Sequence, residues 1–229
     1  MQIAENKYLA VKYNHFIFDR VKEFVFPFGR FSVISCMLMT LQMNEFNTYL
    51  KNLDYSHVKD LCVEKGKLRT YRKKDFFICQ NEIERFAGWV KEGTFQYTYI
   101  DEEGEEHIVG YSFTNEFVCD YSSFMKGCLS LVNIQALADC SVYEISRHDL
   151  IEYWETNIET QRFGRYVAEN LYEMVYERLL DLYCSPEIRY KKLIKRCPDL
   201  KEAVPLKNIA SFLGVTPETI SRIRRKLEK

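Results

Sequence analysis

The sequence contains little that is typical of an active site. Its 229 residues include only four histidines, and none lies in H-E-x-x-H, G-x-S-x-G or a phosphate-binding glycine loop. The sequence therefore predicts neither an enzyme nor a metal site nor a resident cofactor. One alternative stays open, since His107 on a strand could ligate haem in a sensor protein.

The eight cysteines lack any regular spacing. No two of them form a C-x-x-C pair, which argues against a zinc finger and against a disulfide framework. Scattered cysteines are typical of free thiols in a reducing cytoplasm, so we expect a cytoplasmic protein. A redox or iron–sulfur sensor would need several thiolates close together, and the spacing predicts no such group.

A long uninterrupted apolar run is also missing. The most apolar stretch, Phe24–Leu41, is broken by Pro27, Gly29 and Arg30. A membrane span needs about twenty predominantly apolar residues, so we predict neither a span nor a membrane partner, and no secretory signal. Residues 1–43 are treated as an N-terminal extension of uncertain role. Alternative natural starts within it are Met37, Met39 and Met43.

Charge is unevenly distributed along the chain, although the formal net charge is −1. Residues 184–229 contain twelve Lys and Arg against five Asp and Glu, whereas residues 1–183 contain twenty against twenty-eight. The C-terminal part is therefore basic and the remainder acidic. This distribution is typical of a polyanion-binding module attached to another domain.

The stretch Pro205–Leu227 has the pattern of two short helices that share a buried face. Gly214 stands where the turn between them needs a left-handed backbone, which glycine adopts without steric cost. Thr216 can cap the second helix, and Pro217 fits its first position. The pattern predicts a helix-turn-helix, with a small crossing residue at Ala210 and apolar positions at Ile209, Leu213, Val215, Ile220 and Ile223.

The second of these helices is predicted to read bases in a major groove. Arg222 can donate two hydrogen bonds to guanine, Glu218 can accept one from the cytosine amino group, and Ser221 can bond to either base. The basic residues that follow suit phosphate oxygens. The predicted DNA-binding set is Thr216, Glu218, Ser221, Arg222, Arg224, Arg225 and Lys226.

Residues 44–150 are predicted to form a β-roll that serves as a sensor domain. From Gly66 to Ile145, short runs of aromatic and β-branched residues alternate with turn residues, which is typical of an all-β unit. The acidic turn around Gly104 predicts a hairpin, with Tyr97 and Tyr99 on its first strand.

Ser146 is predicted to open a helical region that continues through Tyr183, with 151–183 as a dimerisation helix. Apolar residues recur there every three or four positions, at Phe163, Val167, Leu171 and Met174. This stripe fits a partner helix, and it fits packing against the β-roll equally well. A homodimer is expected because a two-fold protein suits a two-fold operator.

A β-roll, a long helix and a basic helix-turn-helix, in this order over 44–229, resemble the Crp/Fnr family of bacterial transcription regulators. The segment E-T-I-S-R from Glu218 to Arg222 is similar to that family's recognition helix, which in the Fnr branch reads a TTGA-type half-site. Glu218 and Arg222 also match the cyclic-AMP receptor branch, whereas Pro217 replaces an arginine found there.

The resemblance implies an α+β fold with a double-stranded β-helix or jelly-roll-like sensor domain. It also implies a winged helix-turn-helix, with 184–229 as the DNA-binding domain. The implied partners are double-stranded DNA, a second copy of the chain and a small-molecule effector, and the family relationship allows for RNA polymerase.

The sensor domain departs from the family at the cyclic-nucleotide cassette. That cassette has a Gly-Glu pair and, ten residues after the Glu, an arginine that binds the cyclic phosphate. In this chain Cys119 and Asp120 occupy the pair, and Ser130 occupies the arginine position. A phosphate without a guanidinium loses its strongest charge-assisted hydrogen bonds, so we expect an effector other than cyclic AMP. These three residues are the candidate effector set, although Asp120 fits a solvent-facing carboxylate equally well.

One alternative belongs to another functional class. The β-roll could bind a small molecule while the C-terminal helices contact a protein instead of DNA. Salt separates the two hypotheses, because phosphate neutralisation makes duplex binding strongly salt-dependent.

Overall fold

The computed structural model describes residues 46–50, 53–198 and 200–227, all of which belong to the unit Asn44–Lys229. The extension 1–43, with its alternative start residues and Cys36, lies outside the described residues. A short 3-10 turn, Thr48–Leu50, precedes the first described helix, α1, at Ser56–Lys65.

Eight strands within the described residues form two four-stranded antiparallel sheets. One sheet has the order β1-β8-β3-β6 and the other the order β2-β7-β4-β5. This confirms the predicted β-rich unit. The strands are β1 Lys67–Tyr71, β2 Phe76–Ile78, β3 Phe86–Glu92, β4 Thr94–Ile100, β5 Glu106–Phe113, β6 Phe117–Val118, β7 Asn133–Ala136 and β8 Cys140–Ser146.

Alternating side chains of both sheets form a shared core. Along β8, Cys140 and Val142 are buried, whereas Ser141 and Tyr143 between and after them are only half-buried. Full burial of a large apolar side chain contributes about 1.5–3 kcal/mol, so this alternation holds the two sheets together. The buried core of the sheets comprises Ile78, Val90, Phe95, Val118, Ile134, Ala136, Cys140 and Val142.

Two glycines meet the requirements of tight turns between strands. Gly93 joins β3 to β4 at φ +108°, and a Cβ at this position would lie 2.4 Å from Cys140 Sγ. Gly104 has φ +83° in the turn that joins β4 to β5. The two strands pair with Tyr97 opposite Gly110, which confirms the predicted hairpin.

The helical region after β8 is divided into two helices. Ser146 caps α3, Arg147–Glu155, by accepting a hydrogen bond from Asp149 N at 3.1 Å. Asn157 then caps α4, Ile158–Asp181, through a capping box with Thr160. The prediction of one continuous helix over 151–183 is therefore wrong at its start, because α3 ends at Glu155 and Asn157 caps a new helix. No helix within the described residues, including α4, combines the length and apolarity needed to cross a membrane.

A short helix, α2 at Tyr121–Lys126, lies between β6 and β7, and four helices follow α4. No strand occurs in 147–198 or 200–227, so the described residues do not form the predicted wing. The segment between the helices Pro186–Arg196 and Leu206–Phe212 contains a short helix, Leu200–Ala203, and no strand. The four helices are α5 Pro186–Arg196, α6 Leu200–Ala203, α7 Leu206–Phe212 and α8 Pro217–Leu227.

Candidate nucleic-acid interface and effector pocket

The turn between α7 and α8 has the geometry that its sequence predicts. Gly214 adopts φ +63°, and the Val215 amide donates to Ala210 O at 3.0 Å. The Thr216 hydroxyl accepts from Thr219 N at 3.3 Å, and Pro217 is the first residue of α8. The predicted turn, cap and helix start are confirmed, and they fix the direction in which α8 leaves the turn.

The inner faces of α7 and α8 are buried against α5. Ile209, Ala210 and Ile220 are fully inaccessible to solvent. They share a core with Tyr190 and Leu193 of α5. Because this apolar side of α8 faces inward, its polar side faces solvent.

Four polar side chains of α8 share its outer face. Glu218, Ser221, Arg222 and Arg225 are spaced at i, i+3, i+4 and i+7, which places them on one side of a helix. Glu218, Arg222 and Arg225 are exposed, and Ser221 is half-buried. Within the described part of the chain, these four side chains have no ion-pair or side-chain hydrogen-bond partner. Their donors and acceptors are therefore free to bind another molecule.

Two basic residues of the predicted DNA-binding set are bound within the C-terminal helices. Arg224 Nε donates to Tyr190 Oη at 2.8 Å, and its guanidinium lies over the same ring. Lys226 Nζ lies 2.7 Å from Glu187 Oε2 of α5. Lys191 first, and then Lys226, lower the pKa of Glu187 to about 2. Phosphate binding by Arg224 and Lys226 stays a prediction, and α5 supplies both side chains with partners that the local sequence does not reveal.

The C-terminal helices pack directly against the β-roll. Ser211 Oγ accepts from Ile108 N of β5 at 2.9 Å, and Asn208 Nδ2 donates to Gln96 Oε1 at 3.1 Å. Arg178 of α4 donates to the Val109 carbonyl. Thus β5 contacts both α4 and α7.

A cavity of about 220 Å³ lies between the β-roll and α4. Its wall is mostly aromatic and aliphatic, with contributions from Tyr97, Phe117, Trp154, Phe163 and Leu171. Burial raises the pKa of Tyr97 and of the Cys119 thiol well above their ordinary values, because a poorly solvated interior disfavours the charged form.

The candidate effector residues are only partly brought to this cavity. Cys119 lines it, whereas Asp120 and Ser130 do not. Asp120 instead caps α2 by accepting from Ser122 N and Ser123 N. Ser130 is fully buried, and its hydroxyl lies 2.8 Å from Asp120 Oδ2. The Ser130 hydroxyl is therefore hydrogen-bonded to the Asp120 carboxylate.

The fold agrees with comparisons to known proteins. Residues 68–157 match the family model of the cyclic nucleotide-binding domain. The matched domain ends at Asn157, the cap of α4, so the long helix follows it directly.

Solved structures share the fold over a larger part of the chain. FixK2 from Bradyrhizobium japonicum has a TM-score of 0.61 at 19% identity and covers 71% of this chain and 84% of its own. The c-di-GMP responsive global regulator CLP of Xanthomonas campestris has a TM-score of 0.57 at 18% identity, and the match covers 76% of this chain and 92% of CLP. A CooA mutant from Carboxydothermus hydrogenoformans has a TM-score of 0.56 at 16% identity, and the match covers 80% of this chain and 84% of CooA. The shared fold therefore extends beyond the matched domain. No curated protein matches the chain.

The helix after the cyclic nucleotide-binding domain, α4, is apolar on two faces. The predicted dimer stripe Phe163, Val167, Leu171 and Met174 lines the cavity and packs against Tyr49 and Tyr55. Packing against the β-roll domain, one of the two alternatives for this stripe, is therefore what the structure shows. A second apolar face of α4 is exposed and consists of Tyr172, Val175, Tyr176, Leu179 and Leu180. Its sign in the sequence is a second set of apolar positions at helical spacing.

Proposed function

We propose that this chain is a sequence-specific DNA-binding transcription regulator of the Crp/Fnr type. The observation that carries the proposal is the outer face of α8, where Glu218, Ser221 and Arg222 lie together without internal partners. The basic charge of residues 184–229 supports a polyanion as the partner. The fold shared with the global regulator CLP is consistent with this role.

In this proposal α8 enters a major groove with its N-terminal half against base edges. Arg222 donates to guanine, Glu218 accepts from cytosine, and Ser221 adds a third polar contact. Arg225, exposed one turn further along, binds phosphate. The half-site is of the TTGA type that the resemblance of this helix to the Fnr branch implies.

The regulator acts as a homodimer on an inverted repeat. The exposed face of α4 supports this arrangement, since Tyr172 is 67% exposed, Val175 60% and Tyr176 48%. A contiguous apolar face of this kind on a long helix fits a second copy of the same helix. The two copies of α8 would then meet half-sites about 34 Å apart, one turn of the duplex.

The β-roll serves as the sensor, and its effector is not cyclic AMP. The buried Ser130 hydroxyl cannot replace a guanidinium as a partner for a cyclic phosphate. Effector binding would bias the position of α4 and, through it, the spacing of the two copies of α8. A contact with RNA polymerase stays a prediction.

The test measures the affinity of the variants Arg222→Ala and Arg225→Ala for two duplexes. One is an operator selected from a random pool by the unchanged chain, and the other has the same bases in scrambled order. Arg222→Ala should weaken operator binding by about 1–3 kcal/mol and leave scrambled-duplex binding nearly unchanged. Arg225→Ala should weaken both by similar factors and reduce the salt dependence. Equal losses for Arg222→Ala on the two duplexes would remove this residue from base reading. If the unchanged protein has no duplex affinity at low salt, the helices contact a protein instead.

A further inference from the structure

The cavity between the β-roll and α4 carries no side chain that could neutralise an ionic ligand. The described residues of its wall include no Lys, Arg, His, Asp or Glu. Burial is the first cause of the raised pKa values of Tyr97 and Cys119, so the surroundings disfavour charge. An ionic molecule would lose its hydration here and gain no counter-ion in return.

The polar groups of the wall already bond mostly to one another. Tyr97 Oη lies 2.9 Å from Ser112 Oγ and accepts from Cys119 N at 3.2 Å. Ser112 Oγ donates to Phe117 O at 2.7 Å. In contrast, Trp154 Nε1 and Tyr111 Oη are buried and have no hydrogen-bond partner among the described residues. The described wall therefore provides two unused donors in otherwise mostly apolar surroundings.

The size of the cavity sets the size of its ligand. An apolar protein cavity of about 150 Å³ is known to admit benzene. The volume of about 220 Å³ found here therefore suits two fused six-membered rings with a small substituent. The aromatic wall from Phe117, Phe163 and Trp154 suits a planar molecule.

The residues of the wall connect the cavity to α4 and to α7. Leu171 and Met174 place one side of α4 in the wall, while Tyr172 and Tyr176 lie on its exposed face. The wall also includes Val109, whose carbonyl accepts from Arg178. The Arg178 guanidinium lies 4.1 Å from the centre of the Phe212 ring of α7. A ligand in the cavity thus contacts α4, whose opposite face is exposed, and β5, which is linked to α7 through Arg178.

We infer that this cavity binds an uncharged, planar, largely apolar molecule of about naphthalene size that carries a hydrogen-bond acceptor, and that this molecule controls DNA binding. The control rests on the proposed function, whereas the binding does not.

The first experiment uses isothermal titration of the full chain with 2-methoxynaphthalene, 2-naphthoate and cyclic AMP. The neutral ether should bind with one molecule per chain. The carboxylate, of similar size and the same ring system, should bind at least about tenfold more weakly, because its charge has no partner in the wall. A carboxylate or cyclic AMP that binds as tightly as the ether would overturn the inference, as would no binding of the ether up to its solubility.

Two tryptophan variants locate the binding. Leu171→Trp replaces a leucine side chain in the wall with a bulkier indole ring and should abolish binding of the ether. Leu131→Trp makes the same change at a leucine that is 70% exposed on the β-roll, and it should bind the ether as the unchanged chain does. Equal binding by both variants would place the ligand elsewhere. If Leu171→Trp does not fold, the comparison of ether with carboxylate on the unchanged chain still decides the ligand class.

Duplex binding measured with and without the ether separates the two proposals. We expect at least about a fivefold change in operator affinity when the cavity is saturated. Ether binding without any such change would overturn the control of DNA binding. A chain that binds the operator but not the ether would overturn the ligand class and leave the proposed function intact. A chain that binds the ether but no duplex would overturn the proposed function alone.

Discussion

The substitution Glu116→Gln should stabilise the folded chain at alkaline pH and leave its stability unchanged at acid pH. Glu116 lies between β5 and β6 and is 3% exposed. Its Oε2 accepts from Phe113 N at 2.8 Å and from Asn47 Nδ2 at 2.6 Å. Its Oε1 has no hydrogen-bond partner among the described residues. Both partners are donors, so a glutamine carbonyl can accept the same two bonds.

The magnitude follows from the pKa of this carboxyl group. Burial raises the pKa of Glu116 from 4.5 to about 7. Between these values the folded chain binds more protons than the unfolded chain, so stability falls as pH rises. At about 1.4 kcal/mol for each pH unit that separates the two pKa values, the ionised carboxylate costs about 3 kcal/mol above pH 7. Glu116→Gln removes this cost, and the gain should be fully present at pH 8 and absent near pH 4.5.

The measurement is the free energy of unfolding by urea for the variant and the unchanged chain between pH 4.5 and 8.5. The difference between the two proteins cancels other titrating groups, including Glu84, whose pKa burial raises to about 8. Glu105→Gln, at an exposed residue of the β4–β5 turn, controls for the change from carboxyl to amide. A difference for Glu116→Gln that does not grow with pH, or a variant less stable than the parent at pH 8, would refute the reasoning.

Three further predictions concern single contacts. Arg224→Ala should lower the free energy of unfolding by about 1–3 kcal/mol, because its contact with Tyr190 is lost. Arg225→Ala should change the free energy of unfolding by less than about 0.5 kcal/mol. Urea unfolding of both variants checks this, and equal effects would contradict it. Tyr176→Glu should convert a dimer to monomers in sedimentation velocity, because it buries a charge where the exposed faces of two α4 helices are proposed to meet. An unchanged sedimentation coefficient would place the dimer contact elsewhere. Gly93→Ala should lower the melting temperature, because φ +108° and the nearby Cys140 leave no room for a Cβ; an unaltered melting temperature would show that the β3–β4 turn relaxes freely.

The sequence predicted those elements whose determinants are local. The strands follow alternating apolar runs, and the hairpin follows its acidic glycine turn. The turn between α7 and α8 follows Gly214, Thr216 and Pro217, which act within a few residues of their own position. The break at Asn157 was also readable, because Asn157 and Thr160 have the spacing of a capping box.

The contacts that the sequence did not reveal join residues that are distant in the chain. Arg224 looks like any other basic residue of α8 until Tyr190 of α5 lies beside it. Both faces of α4 are apolar, and periodicity alone does not say which one the β-roll covers. The bond between Ser130 and Asp120 joins residues ten positions apart through the fold of the loop after α2. The cavity was not predicted, since residues from four helices, four strands, the 3-10 turn and their connections contribute to its wall.

The most direct test of DNA reading by α8 is selection of bound duplexes from a random pool by the purified full chain, repeated with Arg222→Ala. The unchanged chain should enrich an inverted repeat with half-sites about one helical turn apart. The variant should lose preference at a guanine-containing base pair in each half-site and keep the repeat spacing. Enrichment of no sequence by the unchanged chain, or an identical motif from both proteins, would contradict the claim that this helix reads bases.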